Sequence, residues 1–328
     1  MKAKNNIKSI LIIGIAGGLA HITSQTLQKK FPHAKILGVD SRDLGDADRD
    51  GEQVLRPGLR HQQVRYTRNE FEKLFRNNKF DVVFHLGRLS HAALNTSISF
   101  TERLDFSLVG TKTIFDLSLS SGVSKIIFLS TFHVYGASAD NPAFIDEESP
   151  LKASINFPDL RDVVEMDFTA TNWMWKNQNK IDMVVLRPCN IIGSHINNAM
   201  TKYLMYKYSP YPLDYNPAFQ FIHEEDMAHI LERSLHELPT GVYNIAPQDT
   251  ILIRDALKTC GNKGLPLPLS LISPLAKFLK KLGSPFPEYL FEYLKYPCII
   301  DNTLIQKHLG ANYLKYDLNK TLKSLVGK

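Results

Sequence analysis

Cysteine is scarce: three residues in 328, Cys189, Cys260 and Cys298, with no C-x-x-C pair. Thiols this far apart exclude a disulfide framework and point to a reducing, cytoplasmic setting. No uncharged run approaches the roughly 18 residues a membrane-spanning helix requires. The opening MKAKNN runs straight into an apolar stretch, which leaves no room for a secretory leader there. Arginine-rich tracts and aromatic RNA-binding motifs are also missing, so the net charge of +6 reads as a basic surface and not as a nucleic-acid partner. Histidines number 11, yet none forms H-E-x-x-H. His223 and His229 would sit on opposed helix faces, and Glu224, Glu225 and Asp226 suit the first turn of a helix, so no metal is expected. What remains is ordinary for a globular chain: 44% hydrophobic and 22% charged residues, with length for one large α/β domain and a smaller lobe.

The organising stretch is SILIIGIAGGLA, residues 9–20. An uncharged Ile/Leu run ended by glycines predicts a strand buried on both faces that turns sharply into a helix. Gly14 permits the turn, and a side chain at Gly17 would stand where a dinucleotide pyrophosphate must approach backbone N–H groups. Ala16 and Gly18 complete the cradle, and Ala20 stands where a third glycine is often found. After a helix from about Leu19 to Lys30, AKILGVD forms a second strand ending in Asp40. An acid there is placed to accept both hydroxyls of an adenosine ribose, which favours NAD over NADP because a carboxylate repels a 2′-phosphate. Arg42, two residues on, works against that preference. The plain alternative is that Asp40 only caps a turn.

Further along, residues 43–59 are polar and rich in Gly, Asp and Arg, as expected of a loop at the mouth of a crevice. HQQVRYT reads as a third strand, NEFEKLFRNN as a short helix, FDVVFHLG as a fourth strand, residues 97–121 as a long helix and SKIIFLST as a fifth strand. His85, Leu86 and Gly87 then place backbone beneath the adenosine half of a cofactor. Such alternation predicts a doubly wound parallel sheet, with ligands outside the carboxyl ends of the strands.

GIAGGLA, GVD, FDVVFHLG, LSTFHVYG and LRPCNIIG, in this order, resemble the extended short-chain dehydrogenase/reductase family, which contains NAD-dependent nucleotide-sugar epimerases and dehydratases. The likeness covers nearly the whole chain. FIHEED, residues 221–226, resembles the segment opening the family's substrate lobe, and the tail from Pro285 through KYPCIIDNT resembles one bacterial branch. The resemblance implies hydride transfer between nicotinamide and a sugar carbon. A Tyr would move the hydroxyl proton, a Lys four residues later would lower the Tyr pKa, and a Ser or Thr would hold the substrate oxygen. Thr131 matches that Ser/Thr. Cys189 and Asn190 would face the nicotinamide end.

The chain departs from the pattern at the decisive positions. The helix before LRP places Asp159 on the tyrosine position and Val163 on the lysine position, and no tyrosine occurs between Tyr135 and Tyr203. An unburied carboxylate is too weak a base for a sugar hydroxyl, and Val163 supplies no charge. Tyr203 and Lys207 have the right spacing but follow the sixth strand, IDMVVLRP, and belong to a substrate-lobe helix; we read the spacing as chance. Ser107 replaces a usual Asn, Gly87-Arg88 a pair of small residues, and Tyr66 an acid that would hold adenine. His133 could act as a substitute acid/base near Tyr135, or be an exposed loop residue with Tyr135 packed structurally.

The expected architecture is therefore an NAD-binding Rossmann domain over residues 1–193 and a substrate lobe over 194–328, with some segments returning to the sheet. Two functions stay open: an NAD-binding protein without the Tyr/Lys chemistry, serving as a binding, sensing or scaffold module or in altered catalysis, and an active enzyme on a nucleotide sugar with substitute groups. The long crossover helices could pair two subunits as a homodimer. Residues 270–282, with Lys277, Lys280 and Lys281 between apolar positions, suit a lid or interface, or a peripheral contact with an anionic membrane.

Overall fold

A computed structural model describes residues 7–42, 59–87, 100–272, 274 and 287–326. Ile10 to Ile13 of β1 (Ser9–Ile13) are completely buried, and the chain turns through the glycines into α1 (Gly18–Lys30). There follow β2 (Lys35–Asp40), β3 (Leu59–Gln63), α2 (Arg68–Asn77), β4 (Val82–His85), α3 (Phe100–Ser120), β5 (Lys125–Leu129), α4 (Arg161–Asn177) and β6 (Asp182–Pro188). Beyond β6 lie β7 (Asn190–Ile192), α5 (Ala199–Met205), β8 (Pro210–Pro212), β9 (Ala218–Phe219), β10 (Phe221–His223), α6 (Glu224–Arg233) and β11 (Gly241–Ile245).

Helical crossovers bring each strand back in the same direction, giving a seven-stranded parallel sheet in the order β3-β2-β1-β4-β5-β6-β11. Strand order reverses between β1 and β4, which opens a crevice beyond their carboxyl ends. Alternation along the strands divides the core in two. Ile10, Ile12, Phe84, Ile127 and Val184 face one side with α1, α6 and apolar residues from beyond β6. Leu11, Ile13, Val83, Phe128 and Val185 face the other with Phe71, Phe115 and Trp173 of α2, α3 and α4.

Two details differ from the sequence reading. The third strand begins at Leu59, two residues before HQQVRYT, because Leu59 to Gln63 pair with Ile36 to Asp40 and the chain must then turn to start α2. Tyr203 and Lys207 do not share a helix: α5 ends at Met205. Tyr203 is buried and donates to the Pro210 carbonyl (2.6 Å), while Lys207 Nζ lies over the Tyr208 ring. Arg88, the side chain of Ser107 and most of 270–282 lie outside the described residues.

A buried ion pair ties the elements around the far end of the sheet. Arg187 of β6 forks onto Asp167 of α4 at 2.7 and 3.0 Å, with both side chains nearly sealed from solvent. Arg187 also donates to the Tyr135 hydroxyl (2.9 Å) and the Glu147 carbonyl (3.0 Å). Ser130 adds a short hydrogen bond to Asp167. Tyr135 donates in turn to Asn244 of β11 (2.7 Å), whose amide reaches the Ile145 carbonyl. Removing Arg187 would leave a carboxylate buried without compensation. Arg187→Met should cost about 3–5 kcal/mol in urea denaturation, whereas Lys112→Ala, which breaks an exposed pair with Asp116, should cost about 1 kcal/mol or less. Equal losses would contradict this ranking.

Candidate functional site

The crevice is built from glycines that let two backbones touch. Gly14 has φ +89°, a left-handed conformation, and a Cβ there would lie 2.4 Å from Gly87 Cα. Only this glycine pair lets the turn after β1 meet the chain leaving β4, where Leu86 N–H donates to the Ile13 carbonyl (3.0 Å). Gly17 precedes α1 in extended conformation without a side-chain cap, and a Cβ on it would meet only the Gly14 carbonyl, at 3.3 Å. One side of the turn is therefore open toward the first N–H groups of α1, which suit an anion.

Asp40, at the end of β2, is buried and reaches back to this turn, accepting from Ala16 N–H (3.2 Å). It also accepts from Arg42 through the backbone N–H (3.0 Å), Nε (3.1 Å) and Nη2 (3.3 Å). Arg42 therefore folds over the carboxylate as an exposed fork that partly neutralises it. Tyr66 is half-buried against Phe71, and a Cβ on Gly87 would lie 2.4 Å from its hydroxyl. Burial pushes the Tyr66 phenol well up, so it stays neutral.

His85 ends β4 in the core, edge-on to Phe115 and Phe128, with Nε2 3.3 Å from the Thr111 hydroxyl. Burial pushes its pKa down to about 4.

At the other half of the crevice, Thr131 is buried and caps the 3₁₀ turn Phe132–Val134, its Oγ1 accepting from His133 N–H (3.4 Å). His133 is half-buried, with its ring between Phe132, Tyr289 and Tyr293, so it is not the exposed loop residue of the plain reading. Tyr135 is 1% exposed with its hydroxyl held between Arg187 and Asn244, and burial keeps it neutral well above the usual phenol range. Asp159 is half-buried in the turn Pro158–Leu160, and Val163, in the first turn of α4, is buried in the same apolar cluster as Phe132 and Val134. Cys189 is buried, its thiol pushed up, and its N–H donates to the Ile245 carbonyl of β11 (2.8 Å). Asn190 donates to the Gln220 carbonyl (3.1 Å).

Sequence reasoning read Glu224 only as a first-turn acid and did not single out His195. The structure brings them together: His195 Nδ1 lies 2.8 Å from Glu224 Oε1. His223 stacks on Tyr316, and Asp226 accepts from the backbone of Lys315 and Tyr316, so these residues anchor the C-terminal segment. Among the described residues no three His, Cys, Asp or Glu side chains converge as metal ligands, and no helix is long and apolar enough to cross a membrane.

A parallel sheet reversing at β1/β4, a glycine turn into α1 and an acid ending β2 define a dinucleotide-binding α/β protein of Rossmann type. The chain belongs to the NAD dependent epimerase/dehydratase family, whose model matches residues 10–246. An uncharacterized protein of Mycobacterium tuberculosis is 24% identical over 248 residues, 74% of this chain and 65% of that protein. The dTDP-D-glucose 4,6-dehydratase of Mus musculus is 26% identical over 197 residues, 57% of this chain and 52% of the enzyme. The matches thus span 65% and about half of these relatives' lengths. A dTDP-glucose 4,6-dehydratase from Bacillus anthracis, solved in complex with NAD, has the same fold, with TM-score 0.70 at 17% identity over 97% of this chain and 95% of that one.

The buried histidine gives the fold an acid limit. Folded His85 stays neutral down to about pH 4, whereas the unfolded residue takes up its proton near pH 6.5. Stability contributed by keeping it neutral is full above about pH 6.5 and is lost as pH falls toward 4, by about 3 kcal/mol in all. His85→Phe should flatten this part of the stability profile relative to wild type in urea melts across that window. Parallel profiles would refute it.

Proposed function

We propose that the chain binds NAD in this crevice and lacks the Tyr/Lys proton transfer typical of its relatives, acting as a nucleotide-sugar-related binding or sensing module or in altered chemistry. The observation that carries the second half is Val163: an aliphatic side chain packed in the core where a cation would be needed to make a nearby hydroxyl a usable base. Asp159, four residues earlier, does not supply a phenol's chemistry. Tyr135 offers no substitute, because its hydroxyl serves Arg187 and Asn244.

Several features of the chain fit the cofactor. The open side of Gly17 accommodates a pyrophosphate on the N–H groups of α1. The Gly14–Gly87 approach keeps side chains out of the contact between the turn after β1 and the chain leaving β4. Asp40 accepts ribose hydroxyls once the Arg42 fork yields, and it disfavours a 2′-phosphate. Thr131 offers a hydroxyl beside the opposite half, and Cys189 and Asn190 line the chain just beyond β6. NAD, when bound, supplies a hydride acceptor; the residues named above hold and orient it, and neither Asp159 nor Val163 supplies the Tyr/Lys pair.

Calorimetric titration should find NAD binding by the wild type, weakened about tenfold or more in Asp40→Ala, since a charge-assisted hydrogen bond is lost. Incubation with NAD and a panel of UDP- and dTDP-sugars should yield neither NADH absorbance nor any epimerised, dehydrated or oxidised sugar by chromatography. Absence of NAD affinity would sink the binding reading. Reduced cofactor or any converted sugar would instead support an active enzyme with unconventional groups.

A further inference from the structure

Large apolar side chains that the fold leaves in water gather at one place. Of those exposed among the described residues, half lie in two short segments beyond β6, residues 205–215 and 262–271. A single exposed apolar group is ordinary, but a cluster marks a surface that something covers. The two segments are bonded side by side. β8 pairs in parallel with the short strand Leu265–Leu267. Leu265 N–H donates to the Ser209 carbonyl (2.8 Å) and Leu213 N–H to the Leu267 carbonyl (2.8 Å), while the Asn262 amide donates to the carbonyls of Leu204 (3.1 Å) and Tyr206 at the end of α5.

Polar clamps hold this ledge in shape with its apolar tips outward. Arg254, in the helix Ile253–Thr259, donates through Nη2 to the carbonyls of Pro212 (2.7 Å), Leu213 (2.6 Å) and Tyr215 (3.1 Å). The loop so fixed carries Leu213, 58% exposed, and Tyr215. Ser209, which is buried, donates to the Tyr203 carbonyl and anchors the chain after α5, and between them Met205, Tyr206, Lys207 and Tyr208 are all exposed.

The chemistry of the ledge selects what covers it. Its aliphatic tips are Met205, Leu213, Leu265 and Leu271, and the exposed rings among them are tyrosines. Lys207 and Lys263 are its exposed cations; Asp214 is the one acid in the two segments, and it accepts from Leu269 N–H (3.0 Å). Lysine is depleted in contacts between proteins. Aliphatic tips flanked by tyrosine and lysine instead match the layers of a bilayer boundary, where acyl chains, headgroups and anionic phosphates follow one another. Lys207 Nζ lies 5.4 Å from the centre of the Tyr208 ring, which puts cation and ring at one level. Leu271 also belongs to residues 270–282, whose lysines between apolar positions suit, among other contacts, an anionic membrane.

We propose that this ledge docks the protein peripherally on a membrane surface rich in anionic lipid. Leu213 and its aliphatic neighbours enter the acyl boundary, the tyrosines lie at headgroup level, and Lys207 and Lys263 meet lipid phosphates.

The test floats the full-length protein with vesicles of phosphatidylcholine alone or mixed with phosphatidylglycerol, at low and high salt, with melting temperatures and light scattering alongside. Wild type should float with the anionic vesicles at low salt, less at high salt, and stay behind when the lipid is neutral. Leu213→Ser combined with Tyr208→Ser should weaken partitioning about tenfold or more, because apolar area is no longer removed from water. Lys207→Glu combined with Lys263→Glu should weaken it about tenfold or more on anionic vesicles. All four positions are exposed, so melting temperatures should match wild type. Phe144→Ser, at an exposed position outside the two segments, should float as wild type does. Wild type that fails to float with anionic vesicles, or double variants that float as well as wild type, overturns the proposal. An equal loss in Phe144→Ser overturns it too. A pair of copies seen by scattering, separated by the Leu213/Tyr208 changes and formed without vesicle binding, gives the ledge to a second copy of the chain and likewise overturns it.

Discussion

The buried pair between Arg187 and Asp167 is the constraint on which the working end of this molecule depends. Two charges sealed from water are tolerable only when every donor and acceptor is matched. Here the matching recruits Ser130 at the end of β5, Tyr135 after the 3₁₀ turn, the Glu147 carbonyl and, through Tyr135, Asn244 of β11. One polar network therefore fixes the positions of β5, β6, β11 and α4 relative to one another. Thr131, Val163 and Cys189 inherit their places from it, each lying within a few residues of a member.

That network also bears on the proposed function, because it engages a tyrosine close to Thr131. Tyr135, the tyrosine nearest Thr131 in sequence, is spent on structure. Val163 closes apolar packing against Phe132 and Val134 instead of offering a cation. The cofactor half, by contrast, keeps its physical requirements. Gly14 and Gly87 touch backbone to backbone, Gly17 leaves the start of α1 open, and Asp40 sits behind the turn. A fold can retain a ligand cradle while the groups around the reacting bond are repurposed, because the two depend on different residues.

The electrostatics of the crevice are unusually self-contained. Among the described residues, Asp40 is matched by the Arg42 guanidinium and Glu224 by the His195 imidazole. Arg42 and His195 are exposed, and both carboxylates are buried.

Much of this was legible in one dimension. The Ile/Leu run ending in glycines, the strand ending in Asp40 and the alternation of short apolar runs with helices determine a doubly wound parallel sheet and its crevice, because strand burial, left-handed turns and parallel crossovers are local or nearest-neighbour consequences of residue type. The placing of Asp159 and Val163 on the Tyr and Lys positions rests on the family resemblance alone, and the proposed function builds on it. Only the tertiary structure decided that Gly241–Ile245 returns as the seventh strand, that the third strand starts at Leu59, that Arg42 covers Asp40, that Tyr135 is locked to Arg187, and that His195 meets Glu224 across 29 residues. These depend on register and on which buried polar group finds a partner. Short segments with weak periodicity and hydrogen bonds between distant residues leave no pattern in the sequence for such choices to be read from.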